Sequence, residues 1–100
     1  MKLIKLNDGI KVGSVVQESR IAKNLNDCIY NGTYYIAAKA TNIPNSSFEY
    51  GELIVSRNED TIVQLAFTYT DASLFKVRVG ARIGGENETW TPWKTFKSID

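Results

Sequence analysis

Four alternating stretches, separated by turns only a few residues long, decide what this chain can become. They run from Gly51 to Arg57, Thr61 to Tyr69, Leu74 to Ile83 and Glu88 to Phe96. Alternation with a period of two is the pattern of a strand buried on one face. The breaks between them are Asn58-Glu59-Asp60, Asp71-Ala72-Ser73 and Gly84-Gly85-Glu86-Asn87. None is long enough for the crossover helix that joins parallel neighbours, so the stretch reads as an antiparallel sheet. Thr33 to Ala38, β-branched and aromatic at Thr33, Tyr34, Tyr35 and Ile36, predicts one more strand upstream. Thr41 to Tyr50 is the loop after it, because Asn42, Pro44, Asn45, Ser46 and Ser47 are all turn formers.

The alternation also predicts faces. Tyr34, Ile36 and Ala38 share one side, and Tyr35 and Ala37 the other. Leu53 and Val55 oppose Ile54, and Val63, Leu65, Phe67 and Tyr69 oppose Gln64, Ala66 and Thr68. Phe75, Val77, Val79, Ala81 and Ile83 oppose Lys76, Arg78 and Arg82, which read as an outward basic stripe. The last stretch contains Trp90-Thr91-Pro92-Trp93-Lys94, with both tryptophans of the chain and one of its two prolines. Proline has no ladder donor and is confined to edges, strand starts and bulges, so this closing strand is edge-like or bulged. In strict alternation the two tryptophans face opposite ways; a bulge at Pro92 lets them share a face.

Upstream, Leu3, Ile4 and Leu6 precede the turn Asn7-Asp8-Gly9, and Ile10 to Val16 completes a short hairpin, marginal alone. Gln17 to Leu25 is the most helix-like part, with Val15, Ile21, Ala22 and Leu25 as inward residues. Asn26-Asp27 is expected to cap a helical turn into Cys28-Ile29-Tyr30. The expected class is mainly β: a small antiparallel β-sheet or sandwich knob with a short helical turn and an N-terminal hairpin or stem. The expected organisation is an N-terminal strand or stem element over residues 1–23 and a knob-like β domain over residues 24–100.

Composition narrows the function classes. Hydrophobic residues make up 43% and charged residues 23%, which is globular. The net charge of +1 lacks the positive excess of a general nucleic-acid binder. The chain has one cysteine and no histidine, which rules out an internal disulfide, a zinc-ligand cluster and every triad built on histidine. No apolar run reaches membrane length, and Met1 to Lys5 opens no signal-peptide core, so a soluble protein made in a reducing cytoplasm is expected, without membrane insertion. Glu49 and Glu52, like Glu86 and Glu88, are turn carboxylates rather than the spaced acid pair of a glycosidase, and no enzyme is expected. No cofactor and no metal site is expected.

Binding has more to stand on. Tyr34, Tyr35, Tyr50, Tyr69, Trp90 and Trp93 are able either to stack on sugar rings or to fill the core of a small sheet. Lys76, Arg78 and Arg82 read either as a seat for an anionic polymer or as a solvated strand face.

The order of short motifs resembles the pyocin-knob type domain of phage and prophage tail fibres. The resemblance runs through Leu25-Asn26-Asp27, Gly32-Thr33-Tyr34-Tyr35-Ile36, Ala40-Thr41-Asn42-Ile43-Pro44 and Gly51-Glu52-Leu53-Ile54-Val55-Ser56. It continues through Ile62-Val63-Gln64-Leu65 and Val77-Arg78-Val79 to Trp90-Thr91-Pro92-Trp93-Lys94, and covers about residues 24 to 97. The spacer Cys28-Ile29-Tyr30-Asn31 departs from the Thr- or Pro-bearing turns usual there. The resemblance implies a β-rich receptor-binding knob on a trimeric fibre of the virion, assembled in the bacterial cytoplasm beside other fibre or baseplate proteins. It implies host attachment through a surface polysaccharide or teichoic-acid-like polymer. The family has no binding-residue motif to carry over; the contacts expected here are a subset of Tyr50, Trp90, Trp93, Arg78 and Arg82. The competing expectation is a structural or assembly module that spaces or caps a fibre, its interaction carried by residues 1–23.

Overall fold

The alternating stretches become the strands of a single mixed sheet. The computed structural model describes residues 20–82 and 88–99. Its strands are β1 (Ile21–Asn24), β2 (Gly32–Thr41), β3 (Glu52–Asn58), β4 (Thr61–Phe67), β5 (Leu74–Ala81), β6 (Thr89–Trp90) and β7 (Lys94–Lys97). They lie in the order β1-β2-β3-β4-β5-β6, and β7 also pairs with β5. Every pairing is antiparallel except that of β1 with β2, which is parallel.

That parallel pair explains where the core sits. Residues 25–31 return the chain to the starting end of the sheet by crossing its face in the 3-10 turn Leu25–Asp27, in place of a crossover helix. Leu25, Cys28 and Ile29 are buried in that crossing. They cover Ile36, Leu53, Val55, Ile62 and Ala66, which project from the sheet, and Phe48 joins them from the second 3-10 turn, Ser46–Phe48. Burying each large side chain stabilises the fold by roughly 1.5–3 kcal/mol. This is the inner face of the sheet, and the buried core of the described residues lies on it.

Three expectations need correction. Ile21–Asn24 is not helical: it extends the edge of β2, with the Tyr35 N–H donating to the Arg20 carbonyl at 2.9 Å. Ile21 stays half exposed while Ala22 and Leu25 are buried, a strand pattern rather than a helical stripe. The cap of the following turn is Asn24, whose side chain accepts from the Asn26 N–H, not Asn26-Asp27. Arg78 does not point outward. It is buried on the inner face with Gln64, while Val63, Leu65 and Phe67 lie on the other side with Phe75 and Val77. The expected hairpin of residues 2–16, Val15 and the Gly84–Asn87 turn lie outside the described residues.

The outer face is unusually apolar for a surface. Ile54, Leu65 and Val77 form one cross-strand row, and Phe67, Phe75 and Phe96 another. The three phenylalanines stack in sequence, with ring centroids 5.5 Å and 5.6 Å apart.

Candidate functional site

Two aromatic clusters form, and they do different things. The first is the tryptophan pair. The Gly80–Trp90 pairing and the hydrogen bonds between Thr91 and Val79 set the register on one side, and Val77–Lys94 sets it on the other. Pro92 and Trp93 together therefore oppose the single residue Arg78, which is a bulge. The bulge turns both tryptophans to the inner face. Trp90 lies flat on Gly80, where a Cβ would come within 2.7 Å of its ring. The Arg78 guanidinium carbon sits 4.0 Å from the centroid of Trp90 and 4.7 Å from that of Trp93. Arg78 also donates from Nε to Gln64 Oε1 and from Nη2 to Asn26 Oδ1, both at 2.8 Å. Gln64 Nε2 in turn donates to the carbonyls of Leu25 and Cys28 at 2.7 and 2.8 Å. This network fastens the Leu25–Asp27 crossing to the sheet. Burial pulls the Arg78 pKa down to about 10, which leaves it charged at neutral pH. Trp93 Nε1 donates to the Asn42 carbonyl at 3.3 Å. Three of the expected contact residues, Arg78, Trp90 and Trp93, are thus brought together as an internal stack.

The second cluster is a groove of about 360 Å³ at the β2–β3–β4 end of the outer face. It is lined by Tyr35, Tyr50, Tyr69, Phe67, Glu52 and Thr33, among others. Cross-strand pairing sets its floor: Tyr35 opposes Glu52, and Glu52 opposes Phe67, so the carboxylate stands between two rings. Tyr50 and Tyr69 meet edge to face, with centroids 6.3 Å apart. Tyr35, Tyr50 and Tyr69 are 50%, 49% and 68% exposed, so their rings are offered to solvent rather than spent on the core.

The Tyr50 ring is held by an uncommon backbone. Tyr50 has a φ of 70°, a conformation that a bulky residue keeps only when its surroundings dictate it. Those surroundings are the Tyr50 N–H donating to the Ile36 carbonyl at 2.8 Å, and Gly51 pressed onto β4. A Cβ on Gly51 would stand 2.0 Å from the Phe67 carbonyl oxygen.

Of the expected contact residues, Tyr50 alone lines this groove. Arg82 lies at the far end of β5 and pairs with Glu88 at 3.6 Å. Tyr35, Tyr69 and Glu52 were not among the expected contacts. The alternation had put Tyr35 opposite Ile36 and Tyr69 in phase with Phe67, but did not say which phase faces out. Among the described residues no group of three or more His, Cys, Asp or Glu is placed to hold a metal ion.

The fold and site together define a small, mainly β domain with an open aromatic groove. No family model matches the chain, and neither a curated protein nor a solved structure matches it significantly.

Proposed function

We propose that this domain is a fibre knob of a phage or prophage that takes part in host attachment, and that it binds a cell-wall or surface glycan without catalysis through the tyrosine groove. The observation that carries this reading is the set of half-exposed rings of Tyr35, Tyr50 and Tyr69 around the Glu52 carboxylate. Aromatic faces pack on the C–H faces of sugars, and a carboxylate accepts from their hydroxyls. A groove of this size takes about one or two sugar rings, near the lower end of ligand-site volumes. Contact through so small an area is weak at each site. Three copies on one fibre raise the avidity through effective concentration.

The test is adsorption of the full chain to host cells and to a glycan array. Tyr35→Ala and Tyr69→Ala are expected to lower binding at least tenfold with unchanged thermal unfolding. Wild-type binding by both variants would remove the groove from the reading.

A second reading, a structural or assembly module of the virion fibre, draws on the apolar outer face. Rows of Ile54, Leu65 and Val77 and of Phe67, Phe75 and Phe96 on a surface mark a region that another protein covers. In that case the groove variants adsorb as wild type and fibre assembly fails when the apolar rows are made polar.

A further inference from the structure

The groove has a charge pattern that discriminates among glycans, an inference that rests on the glycan-binding reading above. Among the described residues that line it, Glu52 is the one with a formal charge. It is exposed, and its cross-strand neighbours are Tyr35 on β2 and Phe67 on β4. The cation beside the lining residue Tyr34 is engaged elsewhere. Arg20 lies over the Tyr34 ring at 4.3 Å, and its Nη2 donates to the Tyr30 and Asn31 carbonyls at 3.4 and 3.2 Å. Thr68 is engaged as well: its hydroxyl donates to the Asp71 carbonyl and accepts from the Asp71 N–H.

What remains facing the groove is a carboxylate set among aromatic rings. Both elements favour positive charge. The face of an aromatic ring carries negative potential and attracts ammonium groups, most strongly where water is partly excluded. A carboxylate adds a charge-assisted acceptor. The same arrangement repels phosphate, carboxylate and sulfate, because among the described residues no lining side chain offers a compensating cation.

We infer that the groove takes a glycan bearing a free ammonium group, an amino sugar that is not N-acylated, and that Glu52 selects it. The ammonium sits against Glu52 between Tyr35 and Phe67, and the sugar ring lies along Tyr50 and Tyr69. A polyanionic polymer is a poor ligand for this groove even where its backbone fits.

Titration calorimetry on the full chain tests this with three probes: oligomers of glucosamine, the same oligomers fully N-acetylated, and a glycerol-phosphate polymer. The glucosamine oligomer is expected to bind at least tenfold more tightly than its N-acetylated form. Glu52→Gln, an isosteric change on an exposed strand position, is expected to abolish that preference, so that the two oligomers bind alike. Added salt is expected to weaken the first interaction and not the second. Equal binding of both oligomers would overturn the ammonium inference and leave the glycan reading standing. Tightest binding of the phosphate polymer, or a preference that survives in Glu52→Gln, would overturn it too. If none of the three probes binds, the inference falls, and the glycan reading is then decided by cell adsorption of the Tyr35→Ala and Tyr69→Ala variants.

Discussion

At the scale of the residue, Arg78 and Tyr50 show opposite ways of using an expensive conformation or environment. Arg78 is a buried charge, kept by two kinds of partner at once: the amide oxygens of Gln64 and Asn26, and the faces of two tryptophans. Removing it strands the Gln64 and Asn26 oxygens and opens the space between the rings. Arg78→Ala is therefore expected to cost about 3 kcal/mol in urea unfolding. Arg78→Lys keeps the charge and loses the planar fork, and is expected to recover less than half of that. Tyr50 keeps a left-handed backbone that glycine adopts freely. Tyr50→Gly is expected to leave stability within about 1 kcal/mol of wild type, since relief of strain offsets lost contacts. If Tyr50 is a ligand contact, the same variant loses binding. A loss of several kcal/mol would mean that the ring belongs to the core. Cys28 gives a pH signature. Burial, aided by Asp27, raises its thiol from 9.0 to about 11. The folded state then holds the proton more tightly than the unfolded chain. This contribution is complete below about pH 9 and fades as pH rises through about 11, by up to about 2–3 kcal/mol. Unfolding free energies of wild type and Cys28→Ala, compared from pH 8 to 10.5, should converge by that trend.

At the scale of the element, glycines and a bulge position the rings that matter. Gly51 is needed because β4 leaves no room for a Cβ: the clash is with the Phe67 backbone carbonyl, which is unable to swing aside. Gly51→Ala is expected to destabilise by about 2 kcal/mol or more and to disturb the groove, since Tyr50 and Glu52 flank it. At Gly80 the obstacle is the Trp90 ring, a side chain that can move, so Gly80→Ala is expected to cost less and to shift tryptophan fluorescence. The bulge of Pro92 and Trp93 shows how one extra residue re-aims a side chain. Without it Trp93 would project from the outer face, and Arg78 would lack its second ring. In β2, Lys39 with a φ of 61° does a similar thing. The register against β1 jumps from Ala22–Ile36 to Asn24–Thr41, so Ala38, expected beside Tyr34 and Ile36, is exposed.

At the scale of the whole molecule, the sheet has one covered face and, among the described residues, one apolar open face. The inner face is closed by the crossing of residues 25–31 and by Phe48. The outer face presents two apolar rows, with the tyrosine groove at its β2–β3 end and Phe96 at its β7 end. If copies of this chain meet through the rows near β4, β5 and β7, the groove stays open at the side. Light scattering coupled to size exclusion is then expected to give about three times the chain mass of 11.2 kDa, falling to the single-chain mass in Leu65→Glu. A wild-type chain that runs at 11.2 kDa at all concentrations would remove the trimeric form of the proposal.

The local pattern of the sequence determined the strands and most of their limits. Period-two alternation and the turn residues beside it act over only a few positions, so Thr61–Phe67 and Leu74–Ala81 were legible before any fold was known. Alternation has no sign, however: it says that Gln64 and Leu65 face opposite ways, not which one meets the core. The sign came from the crossing of residues 25–31, whose carbonyls at Leu25 and Cys28 accept from the Gln64 amide. Once Gln64 turned inward, Arg78 followed it, the tryptophans closed over Arg78, and Phe67, Tyr35 and Glu52 were left outside to make the groove. Partners far apart in the chain decide that choice, and only the tertiary structure brings them together.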